Sequence, residues 1–180
     1  MKNYKKNFEI LKKNYVYSKE MEHDACGVGL IASTEGKKSR KIVEYGIEAL
    51  KAVWHRGAVD ADGKTGDGAG IHVETPKDFF IEKVEVTGHT YDNSEICVGM
   101  IFLPRNDYAA QENCKTIVES ELTKNNFSIY GWRQVPVNPK VLGEKAFQTM
   151  PEIIQVLFKS NNPELLNKDL ERKIYETRRI

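Results

Sequence analysis

The chain has 180 residues, 40% of them hydrophobic, enough to bury a substantial core in one domain or a large part of one. Lys and Arg number 27 against 26 Asp and Glu, a formal net charge of +1, so no overall field gathers nucleic acid or an anionic membrane surface. Three cysteines, Cys26, Cys97 and Cys114, lack C-x-x-C pairing, which speaks against a disulfide scaffold or a zinc knuckle and fits reduced thiols in a cytoplasm.

Residues 1–25 are rich in Lys, Asn, Tyr and Glu and predict at most a short surface helix. Lysines and acids break every apolar stretch there, which argues against a secretory signal, and no run along the chain approaches the roughly 20 apolar residues of a membrane helix. Cys26 to Ile31 reads as a short buried strand, and Ser33 to Ser39, with Gly36, as a turn. From Lys41 to Trp54 the residues Val43, Ile47, Leu50 and Trp54 form one helical stripe, with Ser39 as its cap. Thr65 to Val73 predicts a second apolar strand behind a glycine-rich loop, and Pro76 to Phe80 one turn of helix. Residues 82–95 read as a strand remnant and a loop. Ile96 to Leu103 is a buried strand ended by Pro104. Asn106 or Asp107 caps a helix whose stripe is Ala110, Cys114, Ile117, Val118 and Leu122, stopping near Asn125. Phe127 to Val135 and Pro151 to Phe158 are further strands, and Asn162 or Asn167 opens a charged C-terminal stretch. Two helices stand out among these strands, so the class is α+β or α/β around a layered sheet.

Cys26 leads into Gly-Val-Gly, where missing side chains let backbone or ligand approach closely. A nucleophile suits that setting, and on this stretch alone a small buried hydrophobe does too. Gly27 to Ala32 matches G-x-G-x-x-G/A, but charged residues precede it and a strand follows, the wrong context for a dinucleotide site. Asp60, Asp62 and Asp67 suggest a calcium loop, yet Lys64 falls at a ligand position and Ile71 where a closing Glu is required, so no metal is expected.

Asp24-Ala25-Cys26-Gly27-Val28-Gly29, then His55-Arg56-Gly57-Ala58, then Asp62 through Gly70 closely resemble the start of the large subunit in the glutamate synthase family, class II glutamine amidotransferases with an N-terminal nucleophile. Phe102-Leu103-Pro104, Gly131 through Pro136 and Pro151 through Gln155 are similar to later segments of that family. The match covers nearly everything from Cys26 onward.

The resemblance implies an α+β fold, the four-layer αββα sandwich of N-terminal nucleophile type, of which residues 26–180 would be the N-terminal portion. It implies that residues 1–25 are a leader, removed so that Cys26 becomes the first residue. A free α-amine, with a pKa of about 7.7–8.0, can act as general base for its own thiol, whereas an amide nitrogen cannot. Cys26 would attack the side-chain amide of glutamine, releasing ammonia for glutamate synthesis from 2-oxoglutarate. Arg56 would support the cysteine region, with a structural ion pair as the alternative. Thr65 to Gly70 would form the core strand beside that of Cys26. No cofactor is implied for this segment, while FMN and an iron-sulfur cluster are implied for the full-length family enzyme. The implied partners are glutamine, the remaining domains of the large subunit and a small NADPH-oxidising subunit, without nucleic acid or membrane. The family's Arg-Phe-Ser-Thr segment, which holds the glutamine carboxylate, and its Asn-Gly oxyanion segment have no match here, so residues 1–180 alone are expected to be inactive. Other readings are another class II amidotransferase, such as amidophosphoribosyltransferase, and a non-catalytic fragment that folds only with a partner. Thr65 to Gly70 and Gly131 to Pro136 count against the amidophosphoribosyltransferase.

Overall fold

The computed structural model describes residues 2–14, 27–54, 59–66 and 68–179. They fall into two units, Met1–Ala58 with Asp67–Ile71, and Val59–Gly66 with His72–Ile180.

In the first unit, helix α1 spans Lys2–Asn14, with Lys12 and Lys13 in its last turn, where the exposed carbonyls favour positive charge. The turn before the second helix forms as its glycine predicts: Gly36 has φ +65 and its amide donates to the Ser33 carbonyl at 3.3 Å. Helix α2, Arg40–Ala52, starts at Ser39, whose hydroxyl accepts from the Lys41 amide at 3.2 Å. The apolar stripe is half-buried at Val43, Ile47 and Leu50, while Trp54 is exposed.

The expected strand from Cys26 to Ile31 is not formed over its described residues. Gly27 to Ile31 belong to no ladder, and Val28 and Leu30 are 95% and 88% exposed. An extended segment becomes a strand only when another backbone takes its hydrogen bonds, and no described residue does so. The expected strand at Thr65 to Val73 likewise reduces to a single bridge, Val59 with Gly66, and Gly68, at φ +89, has left the extended region altogether.

In the second unit, helix α3 spans Lys77–Val86, longer than the single turn expected, and takes up the start of the supposed strand remnant. Phe80 and Val84, one turn apart, are its buried face. Its β-branched Ile81, Val84 and Val86 weaken the helical signal in the sequence, and packing overrides that. The strands β1 (Cys97–Leu103), β2 (Phe127–Gln134) and β3 (Glu152–Ser160) lie within two residues of their expected spans. So does helix α4, Tyr108–Lys124, which Asp107 caps by accepting from the Ala110 amide at 2.9 Å. A short helix not foreseen in the sequence, α5 (Glu144–Thr149), precedes β3. Helix α6, Asn167–Arg178, follows β3, where the sequence suggested only a charged stretch, and brings the described α-helices to six, against the two that stand out in the sequence.

The sheet order is β1-β3-β2, with β3 central and antiparallel to both neighbours. Alternation along β3 sends Val156 and Phe158 to one face and Leu157 to the other. The first face packs under α4 and α6, with Cys97, Leu122, Phe127 and Leu170 buried. The second packs against α3, with Phe80, Val84, Ile96 and Tyr130 buried. Apolar residues on both faces of one strand explain the uninterrupted run that marked β3 in the sequence. A bulge at Tyr130 shifts the register between Ile129 and Gly131, so Ile129 and Trp132 share the first face. Gly131 is required there: its φ is 146, and a Cβ would come within 2.9 Å of Thr87 Cγ2. This is a three-layer α+β arrangement about an antiparallel sheet.

Candidate functional site

Cys26 and Arg56, the two residues to which the sequence assigns chemistry, lie outside the described residues, as do His55, Gly57, Ala58 and Asp67. What the structure describes is the chain beside them. Val59 to Gly66 folds back on itself: Val59 bridges Gly66, the Asp60 amide donates to the Thr65 carbonyl at 2.7 Å, and Gly63 turns the chain with φ +68. Asp62 is the hub of this loop. Its Oδ1 accepts from the amides of Lys64 at 2.9 Å and Thr65 at 2.7 Å, and its Oδ2 from the Thr65 hydroxyl at 2.5 Å. The Thr65 hydroxyl, then the Thr65 and Lys64 amides, hold the Asp62 carboxyl well below the usual carboxylate range. Lys145 of α5 pairs with Asp60 at 2.5 Å. Asp60 and Asp62, two of the three acids that suggested a calcium loop, are thus occupied by amides, a hydroxyl and an ammonium group.

Of the described thiols, Cys97 is a poor nucleophile. Cys97 is buried under α4 and α6, and burial, followed by the charges of Glu95 and Glu171, pushes its thiol up to about 12. Cys114, expected in the core, is half-buried on α4.

A second polar cluster, absent from the sequence reading, ties the segment before β1 to the sheet. The Tyr130 hydroxyl donates to Asp92 Oδ1 at 3.0 Å, and Lys159 pairs with Asp92 Oδ2. Lys159, then Ser94, hold the Asp92 carboxyl low, while burial, then the bond to Asp92, raises the Tyr130 hydroxyl and keeps it a donor. No local signal announces this cluster, because its members come from β2, β3 and a loop. Asp62, by contrast, was legible in principle, since Asp followed by Gly and by Thr three residues on is the spacing at which a side chain caps its own turn.

Among the described residues no group of three or more His, Cys, Asp or Glu is placed to hold a metal ion, and no helix is long and apolar enough to cross a membrane.

The family model for class-II glutamine amidotransferases matches residues 26–180, from Cys26 to the last residue. The chain belongs to the class-II glutamine amidotransferases. Among curated relatives of this amidotransferase, the glutamate synthase [NADPH] large chain of Azospirillum brasilense is 55% identical over 163 residues, which cover 91% of this chain and 11% of that protein. The chloroplastic ferredoxin-dependent glutamate synthase 2 of Arabidopsis thaliana is 37% identical over 177 residues, covering 97% and 11%. The ferredoxin-dependent glutamate synthase of Pyropia yezoensis is 40% identical over 162 residues, covering 89% and 10%. The amidotransferase chain therefore spans about a tenth of the length of the glutamate synthases it matches.

Proposed function

We propose that the chain is the glutamine-hydrolysing part of a glutamate synthase large subunit, with Cys26 as nucleophile after removal of residues 1–25. The observation that carries this reading is the start of the family match, which begins at Cys26 and leaves residues 1–25 outside it. The burial and raised pKa of Cys97 support it by contrast. The freed α-amine of Cys26 takes the proton from its thiol, and the sulfur attacks the side-chain amide carbon of glutamine. Ammonia leaves as the amine returns a proton to it, and water then hydrolyses the γ-glutamyl thioester to glutamate. Arg56 supports the cysteine region. The carboxylate clamp and oxyanion donors come from further segments of a longer protein.

We infer that the β1-β3-β2 sheet is one of the two sheets of an αββα sandwich of the N-terminal nucleophile type. The ammonia goes to further domains for glutamate synthesis from 2-oxoglutarate, chemistry that FMN and an iron-sulfur cluster supply when bound there. The described residues do not fit such a cluster, because Cys97 is in the core and no metal-holding group is formed. A small NADPH-oxidising subunit is the proposed electron partner, supported by the higher identity to the NADPH enzyme of Azospirillum brasilense. The free thiols of Cys97 and Cys114 fit a cytoplasmic setting.

The test is labelling of the full-length enzyme with the glutamine analogue diazo-oxo-norleucine, whose diazo carbon alkylates the attacking thiol with loss of dinitrogen. Peptide mass spectrometry is expected to find the adduct on Cys26. An adduct on Cys97 or Cys114, with Cys26 unmodified, would overturn the assignment.

A further inference from the structure

Gln155 is the one polar residue in the run 153–158 of central β3, where cover on both faces favours apolar side chains. It is 8% exposed, and its Oε1 accepts from Arg133 Nη1 at 2.6 Å. Gln155 Nε2 has no acceptor among the described residues and is not sealed from the surface. Arg133 is similarly incomplete. Its half-buried guanidinium lies 5.2 Å from the centre of the Phe79 ring and reaches the Gln155 oxygen, but no carboxylate among the described residues pairs with it. Lys83, 5.1 Å from the same ring, is matched by Glu82 at 2.5 Å, which leaves Arg133 as the unmatched charge.

The pleat puts these groups on the second face of the sheet. Met100, Gln155 and Arg133 are register partners across β1, β3 and β2, and Phe102 with Ile153 forms part of the next row. Alternation from Leu157, which packs against α3, places both rows on the Leu157 side. Phe80 and Val84 of α3 cover the Leu157 row, and Phe79 reaches the Arg133 row. Beyond that helix Met100 and Phe102 are 48% and 64% exposed. An unsatisfied amide and an unpaired guanidinium thus stand among uncovered apolar side chains on one half of one sheet face.

We propose that this half-face is a docking surface for an apolar protein segment carrying one Asp or Glu, whose carboxylate is taken by Arg133 and Gln155 Nε2. Charge sets the chemistry of the partner: the free guanidinium and amide groups are donors, and a carboxylate supplies two acceptor oxygens together with the missing negative charge. The open sheet sets its kind. Exposed Met100 and Phe102 offer apolar area to a covering chain, whereas a small acid is held by a cavity that encloses it. Cover by such a segment also removes water from the pair and strengthens it. The inference is independent of the part assigned to Cys26.

The test uses the full-length enzyme. Arg133→Lys keeps the charge and adds a primary amine, which a carbodiimide-activated carboxylate in contact with it acylates, forming an amide while the carbodiimide leaves as its urea. Peptide mass spectrometry is expected to find position 133 joined to an Asp or Glu flanked by apolar residues. An active Arg133→Lys enzyme without that join overturns the proposal. Phenylglyoxal, which adds to guanidinium groups, gives a measurement on the parent enzyme that does not depend on the variant folding. Arg133 is expected to react about tenfold or more slowly in the native enzyme than in the urea-unfolded chain, because a covered group reacts only when its cover opens. Smaller protection overturns the docking surface. A small acid as occupant would leave Arg133 reactive in acid-free enzyme and protected once butyrate is added, and that result overturns the protein partner as well.

Discussion

Replacing Cys26 by alanine in the full-length enzyme is expected to lower glutamine-dependent glutamate formation by roughly 10⁴-fold or more, the scale on which covalent catalysis fails when its nucleophile is removed. Two losses coincide in that variant. The thiol that would carry the γ-glutamyl group is gone, and residues 1–25 are expected to stay attached if, as we further propose, their removal needs the Cys26 side chain. Ammonia supplied in solution bypasses both, so ammonia-dependent synthesis should survive in the same preparation. That split distinguishes a lost nucleophile from a protein that no longer folds, which would lose both activities together. A Cys26→Ala enzyme that still used glutamine at the parental rate would remove Cys26 from the mechanism.

The second large effect concerns stability. Leu157 is fully buried in central β3, facing the layer of Phe80, Val84, Ile96 and Tyr130. Its register partners are Val98 on one side and Gly131 on the other, so a glycine neighbour leaves little side-chain mass to relax into a vacancy. Leu157→Ala is therefore expected to cost about 2–5 kcal/mol, the range for emptying a well-packed leucine site. For a domain of this size that corresponds to a fall of roughly 4–20 °C in the temperature at which half the glutamine-dependent activity survives. Val86→Ala serves as the comparison, because Val86 is 77% exposed at the end of α3 and should change little. Equal heat sensitivity of the two variants would mean that β3 is not the centre of this layer.

The parts of the fold that the sequence announces are those whose causes are local. Ser39 and Asp107 accept hydrogen bonds from the amides that follow them, as caps do. Pro104 ends β1 and Pro136 follows β2, while β3 stands out because both its faces are covered. The parts that sequence reasoning misplaced depend on partners. Gly27 to Ile31 carries the pattern of a strand, but pattern alone does not supply the second backbone. Helix α3 hides behind β-branched residues, and α5 is too short to show a period. At the site, the order of Cys26, Arg56 and the glycine-rich stretch gave the family, since the relatives are glutamate synthases. The use of Asp62 was obscured because acids at that spacing first suggest an ion. The bond of Tyr130 to Asp92 joins residues 38 apart and leaves no local trace.

The central claim is that Cys26 works from the chain terminus, and the N-terminal peptide of the purified full-length enzyme tests it most directly. Mass spectrometry is expected to find a peptide beginning at Cys26 with an unblocked α-amine, and no peptide joining Ala25 to Cys26 in active preparations. A fully active enzyme that retains the Ala25–Cys26 bond would contradict the account, because an amide nitrogen cannot act as the base for the thiol beside it.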